Sequence, residues 1–181
     1  MTLYFITGNK GKLKEAQAII PNVESVEFDL PEIQSMDPKE VISEKLKEAI
    51  KEHEGEFFVE DTSLYIECLN GFPGPLIKWM LDRIDDTGIG ELVSKYDNNK
   101  AIAKTVIGYI DGREIHFFSG EIKGSITPTP KGEFGFGWGK IFKPEGYEKT
   151  FGEMTPEEKN TLSMRKIALE KLQKFLQQRH G

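Results

Sequence analysis

Short apolar runs alternate with amphipathic segments along the first part of the chain. An apolar run over residues 2–6 predicts a buried strand, and the apolar spacing over Gly11–Ile20 predicts a helix that ends before Pro21. A second strand is predicted over Val23–Phe28. This alternation of strands and helices is typical of an α/β fold.

A second helix is predicted to begin at Asp37-Pro38-Lys39-Glu40. This segment offers an N-cap, a proline at the first helical position and a glutamate that can bond back to the cap. The apolar run Phe57–Val59 then predicts a central strand with Glu60 and Asp61 at its carboxyl end. Because ligand sites in α/β sheets lie at such strand ends, both carboxylates are candidate site residues. The predicted helix has this apolar stripe: Ile42, Leu46, Ala49 and Ile50.

The second half of the chain contains a strong hairpin signal. Two long runs, Ala101–Ile110 and Arg113–Lys123, flank Asp111-Gly112. The sheet is therefore expected to be mixed rather than purely parallel. Glycine, proline and aromatic residues dominate Ser125–Gly146, which predicts an ordered loop.

Two helix starts are predicted near the end of the sequence. Thr155-Pro156-Glu157-Glu158 has the pattern of a capping box, and Ser163 can cap a final helix. No internal repeat or domain linker interrupts the chain, so a single domain is expected over residues 1–181. The buried face of the final helix is predicted to comprise Ala168, Leu172, Phe175 and Leu176.

Composition limits the classes of function. The chain has 24 Lys and Arg residues against 30 Asp and Glu, a formal net charge of -6, which disfavours nonspecific binding to a nucleic-acid backbone. Its only cysteine, Cys68, excludes an internal disulfide and indicates a reducing, cytoplasmic location. Cys68 lies in an apolar alternation, which favours core packing over a role as nucleophile. Neither a signal peptide nor a membrane span is predicted.

The segment Thr7-Gly8-Asn9-Lys10-Gly11-Lys12 joins the first predicted strand to the first predicted helix. Backbone N–H groups at a helix start and the helix dipole both favour an anion, and Lys10 and Lys12 add positive charge. Gly8 and Gly11 are expected to provide the backbone angles and the close approach that a phosphate requires. On these residues alone, a turn with two solvated lysines explains the segment equally well.

Further motifs favour the first interpretation. The segment T-G-N-x-x-K is followed by Leu30–Gln34, then by Val59–Leu64 and Gly71–Trp79. In this order and spacing, the sequence closely resembles the inosine triphosphate pyrophosphatase family from about Thr7 to Arg165. The remaining matching segments are Phe134–Gly139, Phe151, Glu153-Met154, Glu158–Asn160 and Ser163–Arg165.

The resemblance implies both a fold and an activity. The implied fold is an elongated mixed β-sheet flanked by helices, with two lobes and the active-site cleft between them. The implied activity is hydrolysis of non-canonical purine nucleoside triphosphates (ITP, dITP and XTP) to the monophosphate and pyrophosphate, which cleanses the nucleotide pool. The resemblance also implies a homodimer.

The resemblance assigns Glu32 and Asp61 to the metal site. Cleavage between phosphates needs charge neutralisation and a base that prepares water, and Mg²⁺ is the ion that suits carboxylates and phosphates. Asp61 also matches the family's proton acceptor, and one aspartate can serve both roles. Glu60 is a further candidate ligand, or a partner of a ligand. Without the resemblance, these acids would be interpreted as ordinary solvated side chains.

Further positions match the substrate site. Lys12 and the amides of Thr7–Asn9 match the triphosphate loop of the family. Lys78 interrupts the apolar stretch Leu76–Met80, so an anion or water is expected beside it. Lys45 and Lys159 would pass as solvated residues without the match. The expected phosphate-side residues are Thr7, Gly8, Asn9, Lys10, Gly11, Lys12, Lys45, Thr62, Lys78 and Lys159.

Base recognition is expected from Phe136, Gly137, Trp138 and Gly139 together with Met164-Arg165. A purine stacks on an aromatic face, and glycines allow the backbone to approach the base edge. Arg165 is the natural donor to a 6-oxo group. The family commonly has aspartate where Gly139 stands and histidine where Met164 stands, so the family's side-chain contacts at these two positions are not carried over. Backbone groups are expected to replace them.

A P-loop enzyme and an RNA-binding module are the alternative classes of protein. A P-loop enzyme needs G-x-x-x-x-G-K-[ST], whereas Gly8 and Gly11 are only three positions apart and Leu13 follows Lys12. The segment Lys131–Phe136 echoes an RNA-recognition signature, but Glu133 breaks its register. Incubation with ITP and Mg²⁺ separates these classes: pyrophosphate release indicates the enzyme, and RNA retention without turnover indicates the binding module.

Overall fold

The computed structural model describes residues 2–52, 55–135 and 137–180. Its first half contains β1 (Leu3–Ile6), α1 (Lys10–Gln17), β2 (Val23–Val26), α2 (Pro38–Glu52), β3 (Glu56–Ile66), a 3₁₀ turn (Glu67–Leu69) and β4 (Pro73–Gly74). Its second half contains α3 (Ile77–Val93), β5 (Lys100–Ile110), β6 (Ile115–Ile126), a 3₁₀ turn (Gly137–Lys140), β7 (Phe142–Pro144), α4 (Pro156–Asn160) and α5 (Met164–His180).

The strands form one mixed sheet with the order β2-β1-β3-β5-β6-β7, and β4 pairs with β3. Strand β1 is parallel to both β2 and β3, whereas the β3–β4 and β6–β7 pairs are antiparallel. The predicted mixed α/β class is therefore confirmed.

The chain forms two compact units. The first comprises residues 1–61, 105–120 and 164–181, and the second comprises residues 62–104 and 121–163. Strands β3, β5 and β6 each contribute residues to both units.

In the first unit, side chains alternate along β3, so each face of the sheet presents apolar residues on which helices pack. Phe57 and Val59 pack against Ile42 and Leu46 of α2. Phe58 belongs instead to the cluster that contains residues of α1 and α5. The members of that second cluster are Leu3, Phe5, Ala16, Val23, Phe58, Ile107, Tyr109, Ala168, Leu169 and Leu172.

An aromatic cluster lies in the second unit. Trp138 meets Phe142 edge-on at a centroid distance of 5.5 Å, and Phe142 lies 5.2 Å from Phe151. Helix α3 packs closely in the same unit, because a methyl group on Gly90 would lie 2.6 Å from the Pro128 carbonyl oxygen. Within α3, Asp85 has a positive φ of 52°, which divides the helix in two.

Several sequence predictions are confirmed. Asp111 caps the turn between β5 and β6 by accepting from the Arg113 and Glu114 amides, at 3.0 and 3.2 Å. Thr155 and Glu158 form the predicted capping box. Helix α2 begins at Pro38 as predicted.

Other predictions are wrong. Strand β3 continues to Ile66, so Glu60 and Asp61 lie within the strand and not at its end. Burial of Ser63 and Leu64 sustains the strand across this polar stretch. The segment predicted as a loop contains β7, which pairs with the end of β6. At the start of α2, the Glu40 carboxylate accepts from the Ser35 hydroxyl, and that hydroxyl oxygen accepts from the Asp37 amide that Glu40 was expected to cap.

Candidate active site

The turn from β1 to α1 is built around Asn9. Its side-chain oxygen accepts hydrogen bonds from the Gly11 and Lys12 amides at 2.9 and 3.1 Å, so Asn9 is the N-cap of α1. The Asn9 amide in turn donates to the Thr7 hydroxyl at 3.1 Å, and the Thr7 amide donates to the Val26 carbonyl. Asn9 therefore fixes the shape of the loop that the sequence identified as an anion site.

Gly8 and Gly11 do not adopt the left-handed backbone conformation that is expected of glycine in a phosphate-binding turn. Neither has a positive φ angle. A methyl group on Gly11 would lie 3.2 Å from Asn9 Oδ1, and one on Gly8 would lie 3.3 Å from the Glu27 carboxylate. Glycine at these positions therefore provides close approach to polar neighbours and an open surface, not a left-handed backbone.

Glu60 lies at the centre of a buried ion cluster in the first unit. Lys12 Nζ donates to Glu60 Oε1 at 2.9 Å. Arg165 donates from Nε to Oε2 at 2.8 Å and from Nη2 to Oε1 at 2.9 Å, a bidentate pair. Arg165 Nη1 also donates to Glu15 at 2.6 Å. The cluster joins β3, α1 and α5.

The charges of this cluster set the protonation state of Glu60. Burial by itself raises the pKa of Glu60, but the positive charges of Arg165 and Lys12 and the hydrogen bonds that they donate outweigh burial and lower the pKa from 4.5 to about 2. Burial lowers the pKa of Arg165, and the charges of Glu60 and Glu15 reverse that effect and raise it. Glu60 is therefore a permanent carboxylate and Arg165 a permanent cation.

A cavity of about 290 Å³ lies beside this cluster, and the described residues that line it all belong to the first unit. Lys45 of α2 donates to Glu32 at 2.9 Å on its wall. Glu32 is exposed, so its carboxylate is accessible to a ligand. The cavity is lined by Ile6, Thr7, Gly8, Glu27, Phe28, Leu30, Glu32, Lys45, Val59 and Glu60.

Asp61 follows Glu60 on β3 and is 9% exposed. Because side chains alternate along a strand, Asp61 belongs to the sheet face of Phe57 and Val59, which pack on α2. Val59 and Lys45 line the cavity, whereas Asp61 is not among its described lining residues. Strand β1 ends at Ile6, so both carboxylates of β3 lie just beyond the carboxyl end of the neighbouring strand.

Glu32 and Asp61 carry the oxygen atoms that a hard cation prefers. Within the part of the chain that the structure describes, no three His, Cys, Asp or Glu side chains are grouped to hold a metal ion. Mg²⁺ does not require such a group, because it retains waters and takes one or two carboxylates together with substrate phosphates. Glu32 on the cavity wall and Asp61 on β3 are carboxylates of that kind.

Two of the candidate phosphate-binding lysines, Lys78 and Lys159, belong to the second unit. Lys78 is exposed in the first turn of α3, so it does not face the core as its apolar neighbours suggested. Lys159 Nζ lies 5.6 Å from the centre of the Phe151 ring, a cation–π contact. Thr62 is half-buried on β3.

Cys68 is also half-buried, and burial raises the pKa of its thiol, so it is not an activated nucleophile.

The residues expected to read a base have different environments. Trp138 is 9% exposed and belongs to the aromatic cluster, so part of its ring packs against Phe142. Gly137 is exposed with a φ of 63°, and the Gly139 carbonyl accepts from the Gly152 amide. Met164 is 3% exposed, so its side chain is buried. Phe136 lies outside the described residues.

Glu15 and Glu27 belong to the site but are not predicted from the sequence. Glu15 pairs with Arg165, and Glu27 lines the cavity. The only sequence signal for Glu15 is its position one helical turn after Lys12, which places both side chains on the same face of α1. Glu27 gives no signal, because it is an isolated acid at the end of a strand.

No helix in residues 2–52, 55–135 and 137–180 is long and apolar enough to span a bilayer.

Together, these features define an α/β protein with a basic strand–helix turn beside a buried carboxylate–guanidinium cluster. The model of the Ham1 family matches residues 3–175, and the chain belongs to that family. It is 41% identical over 181 residues to the inosine triphosphate pyrophosphatase of Schizosaccharomyces pombe, covering 97% of this chain and 95% of that protein. It is 39% identical over 182 residues to the dITP/XTP pyrophosphatase of Thermococcus kodakarensis, covering 98% of each.

Solved structures support the same fold. The Ham1 protein of Staphylococcus aureus aligns with a TM-score of 0.81 at 24% identity and covers 99% of this chain and 100% of its own. A protein of Mycobacterium abscessus described as a nucleoside-triphosphatase and dITP/XTP pyrophosphatase aligns with a TM-score of 0.71 at 28% identity, covering 95% of this chain and 98% of its own.

Proposed function

We propose that this protein hydrolyses ITP, dITP and XTP to the nucleoside monophosphate and pyrophosphate, and so removes non-canonical purines from the nucleotide pool. The observation that carries the proposal is the similarity to inosine triphosphate and dITP/XTP pyrophosphatases over almost the full length of the chain. The cavity beside the basic β1–α1 turn supports it, because that cavity combines lysine with carboxylates.

The proposed cofactor is Mg²⁺, held by Glu32 and Asp61. When bound, the ion neutralises phosphate charge and orients the phosphates for attack by water. Lys45 keeps the Glu32 carboxylate oriented through its 2.9 Å hydrogen bond. Asp61 accepts the proton of the attacking water, because it is a carboxylate adjacent to the cavity wall formed by Val59 and Glu60.

Lysines are the proposed partners of the phosphate charge. Lys12, Lys45, Lys78 and Lys159 are the proposed contacts, together with Lys10, Thr62 and the Thr7–Gly11 backbone. The amides of Gly8 and Lys10 have no hydrogen-bond partner among the residues that the structure describes, whereas Asn9 occupies those of Gly11 and Lys12. Gly8 and Lys10 are therefore the proposed amide donors to phosphate.

Base recognition is proposed for Arg165 and for the segment from Phe136 to Gly139. Arginine donates to the 6-oxo group of inosine and xanthine, whereas adenine presents an amino donor there. Glycine at positions 137 and 139 allows the backbone to approach the edge of a base. Met164 contributes through its backbone and its core packing, since its side chain is buried.

The remaining parts of the proposal concern assembly and location. A homodimer and a cytoplasmic location are both proposed, the latter because a single cysteine suits a reducing compartment. Size-exclusion chromatography with light scattering tests the dimer, and a mass near twice 20.6 kDa is expected.

The function is tested with a substrate panel. Purified protein is incubated with Mg²⁺ and with ITP, dITP, XTP, ATP or GTP, and pyrophosphate is followed by a coupled assay. We expect turnover of the first three substrates at much higher kcat/KM than ATP, and loss of turnover when a chelator removes the metal. Equal turnover of ATP, or RNA retention without nucleotide turnover, would contradict the proposal.

A further inference from the structure

One carboxylate, Glu60, contacts two cations to which the proposed function gives different tasks. Lys12 is assigned to the triphosphate and Arg165 to the base. Both side chains donate to Glu60, at 2.9 Å from Lys12 and at 2.8 and 2.9 Å from Arg165. Both oxygens of Glu60 are therefore occupied by protein donors.

The arrangement is buried and rigid. The Glu60 and Arg165 side chains are 2% and 3% exposed, whereas several other ion pairs among the described residues lie at the surface. A bidentate contact fixes the plane of the guanidinium, and burial restricts its other rotamers. Glu60 itself is fixed because it projects from the middle of β3.

Arg165 retains donors for a ligand. A guanidinium group has five N–H bonds, and the contacts with Glu60 and Glu15 use three of them. The two others lie on Nη1 and Nη2. Under the proposed function, these two N–H bonds are the donors to the carbonyl group of a base, and the contact with Glu60 is kept.

We propose that Glu60 is a positioning residue that fixes the orientation of the Lys12 and Arg165 side chains. Discrimination between bases then depends on Glu60, although Arg165 is the side chain that contacts the base. This inference rests on the proposed function. It also separates Glu60 from the metal site, because its oxygens are engaged by cations.

The principal test is Glu60→Gln. Glutamine has one acceptor oxygen in place of two. Its NH₂ group donates hydrogen bonds, so it cannot accept from Lys12 or Arg165. We expect the ITP-to-ATP ratio of kcat/KM to fall at least about tenfold, the effect of losing about 1.4 kcal/mol of a bidentate arginine contact. Inhibition by inorganic triphosphate should also weaken, because Lys12 is displaced. The Mg²⁺ concentration for half-maximal rate should stay unchanged.

Two further variants keep the test interpretable. Glu60→Asp keeps the charge and shortens the side chain by one methylene, so we expect a partial return of the ITP-to-ATP ratio. Asp111→Asn breaks another ion pair of the same unit, with Arg179, outside the cavity. A purely structural effect lowers the melting temperature in both Glu60→Gln and Asp111→Asn and leaves the ratio unchanged in both.

The hydrogen bond from Arg165 to Glu60 can also be observed without turnover. The Arg165 Nε–H signal is observed by ¹⁵N NMR and assigned by its loss in Arg165→Lys. We expect slow hydrogen exchange of this signal in the wild type and in Asp111→Asn, and rapid exchange in Glu60→Gln.

The outcomes are distinct. An unchanged ITP-to-ATP ratio in folded Glu60→Gln, or a rise in its Mg²⁺ requirement with an unchanged ratio, overturns the positioning role. If the wild type does not hydrolyse ITP, the proposed function fails instead. The Nε–H signal and the calorimetric affinities for ITP and ATP then decide whether Glu60 positions Arg165.

Discussion

The backbone of Gly120 on β6 packs directly against Met164, the first residue of α5. A methyl group on Gly120 would lie 2.0 Å from the Met164 carbonyl oxygen and 2.8 Å from Cβ of Ile167. Only glycine permits this approach, and the next residue of α5 is Arg165. The position of the guanidinium therefore depends on a strand residue that is distant in sequence.

Gly120→Ala should displace the first turn of α5. We expect a loss of about 1–3 kcal/mol in the free energy of unfolding, as for other overpacked sites. The ITP-to-ATP selectivity should fall as well, because Arg165 moves with the helix. Denaturant unfolding and kcat/KM for both nucleotides check this prediction.

Gly112→Ala is the matched control for this substitution. Gly112 has a φ of 88°, but a methyl group there would meet no atom within 4 Å. This variant should lose stability through backbone strain alone and keep its selectivity. If Gly120→Ala retains normal stability, the packing argument is wrong.

Asp61→Asn should remove most turnover while the protein stays folded. An amide cannot accept the proton of the attacking water, so kcat should fall at least ~100-fold, the scale of general-base removal. Saturating Mg²⁺ and substrate isolate kcat, and circular dichroism verifies the fold. The control is Asp37→Asn, which keeps an oxygen for the Lys39 amide at the start of α2. Near-normal kcat in Asp61→Asn would remove Asp61 from the mechanism.

Glu32→Gln should act on the metal before it acts on the chemistry. Glu32 is exposed at the cavity wall and is oriented by Lys45. We expect a several-fold higher Mg²⁺ concentration for half-maximal rate, with kcat partly restored at saturation. Glu44→Gln is a suitable control, since Glu44 pairs with Lys47 on α2. Unchanged Mg²⁺ dependence in Glu32→Gln would show that Glu32 is not a ligand.

The fold was largely predictable because its signals are local. The Asp111-Gly112 turn, the Thr155 capping box and the start of α2 each depend on a few adjacent residues. The length of β3 was not predictable, since Glu60 and Asp61 resemble a polar strand end. They continue the strand only because distant segments bury them.

The candidate site likewise has a part that local sequence predicts and a part that it does not. The β1–α1 turn is visible in the sequence, and the structure adds the cap formed by Asn9. The cluster of Glu15, Glu60 and Arg165 could not be found locally, because Arg165 lies 150 positions from Glu15 and 105 from Glu60. Such contacts arise from packing of α1 and α5 on one sheet face, which no local pattern encodes.

Asp111 gives a prediction about acid stability. Burial raises its pKa, but hydrogen bonds from the Glu114 and Arg113 amides and the contact with Arg179 lower it from 3.8 to about 2. A lowered pKa in the folded state stabilises the protein above pH 3.8, and this stabilisation is lost as the pH falls toward 2.

Asp111→Asn should therefore weaken the pH dependence of unfolding. Between about pH 4 and pH 2, the melting temperature of the wild type should fall more steeply than that of Asp111→Asn. Thermal scans at several pH values provide the comparison. Parallel curves for the two proteins would exclude a stabilising role for the Asp111 charge.

The central claim is that the protein cleaves ITP to the monophosphate and pyrophosphate, and ³¹P NMR tests it most directly. The wild type is incubated with ITP and Mg²⁺, and the phosphorus signals of substrate and products are integrated over time. The account predicts that IMP and pyrophosphate appear in equal amounts from the start of the reaction. Formation of IDP and orthophosphate, or no consumption of ITP by folded protein, would contradict it.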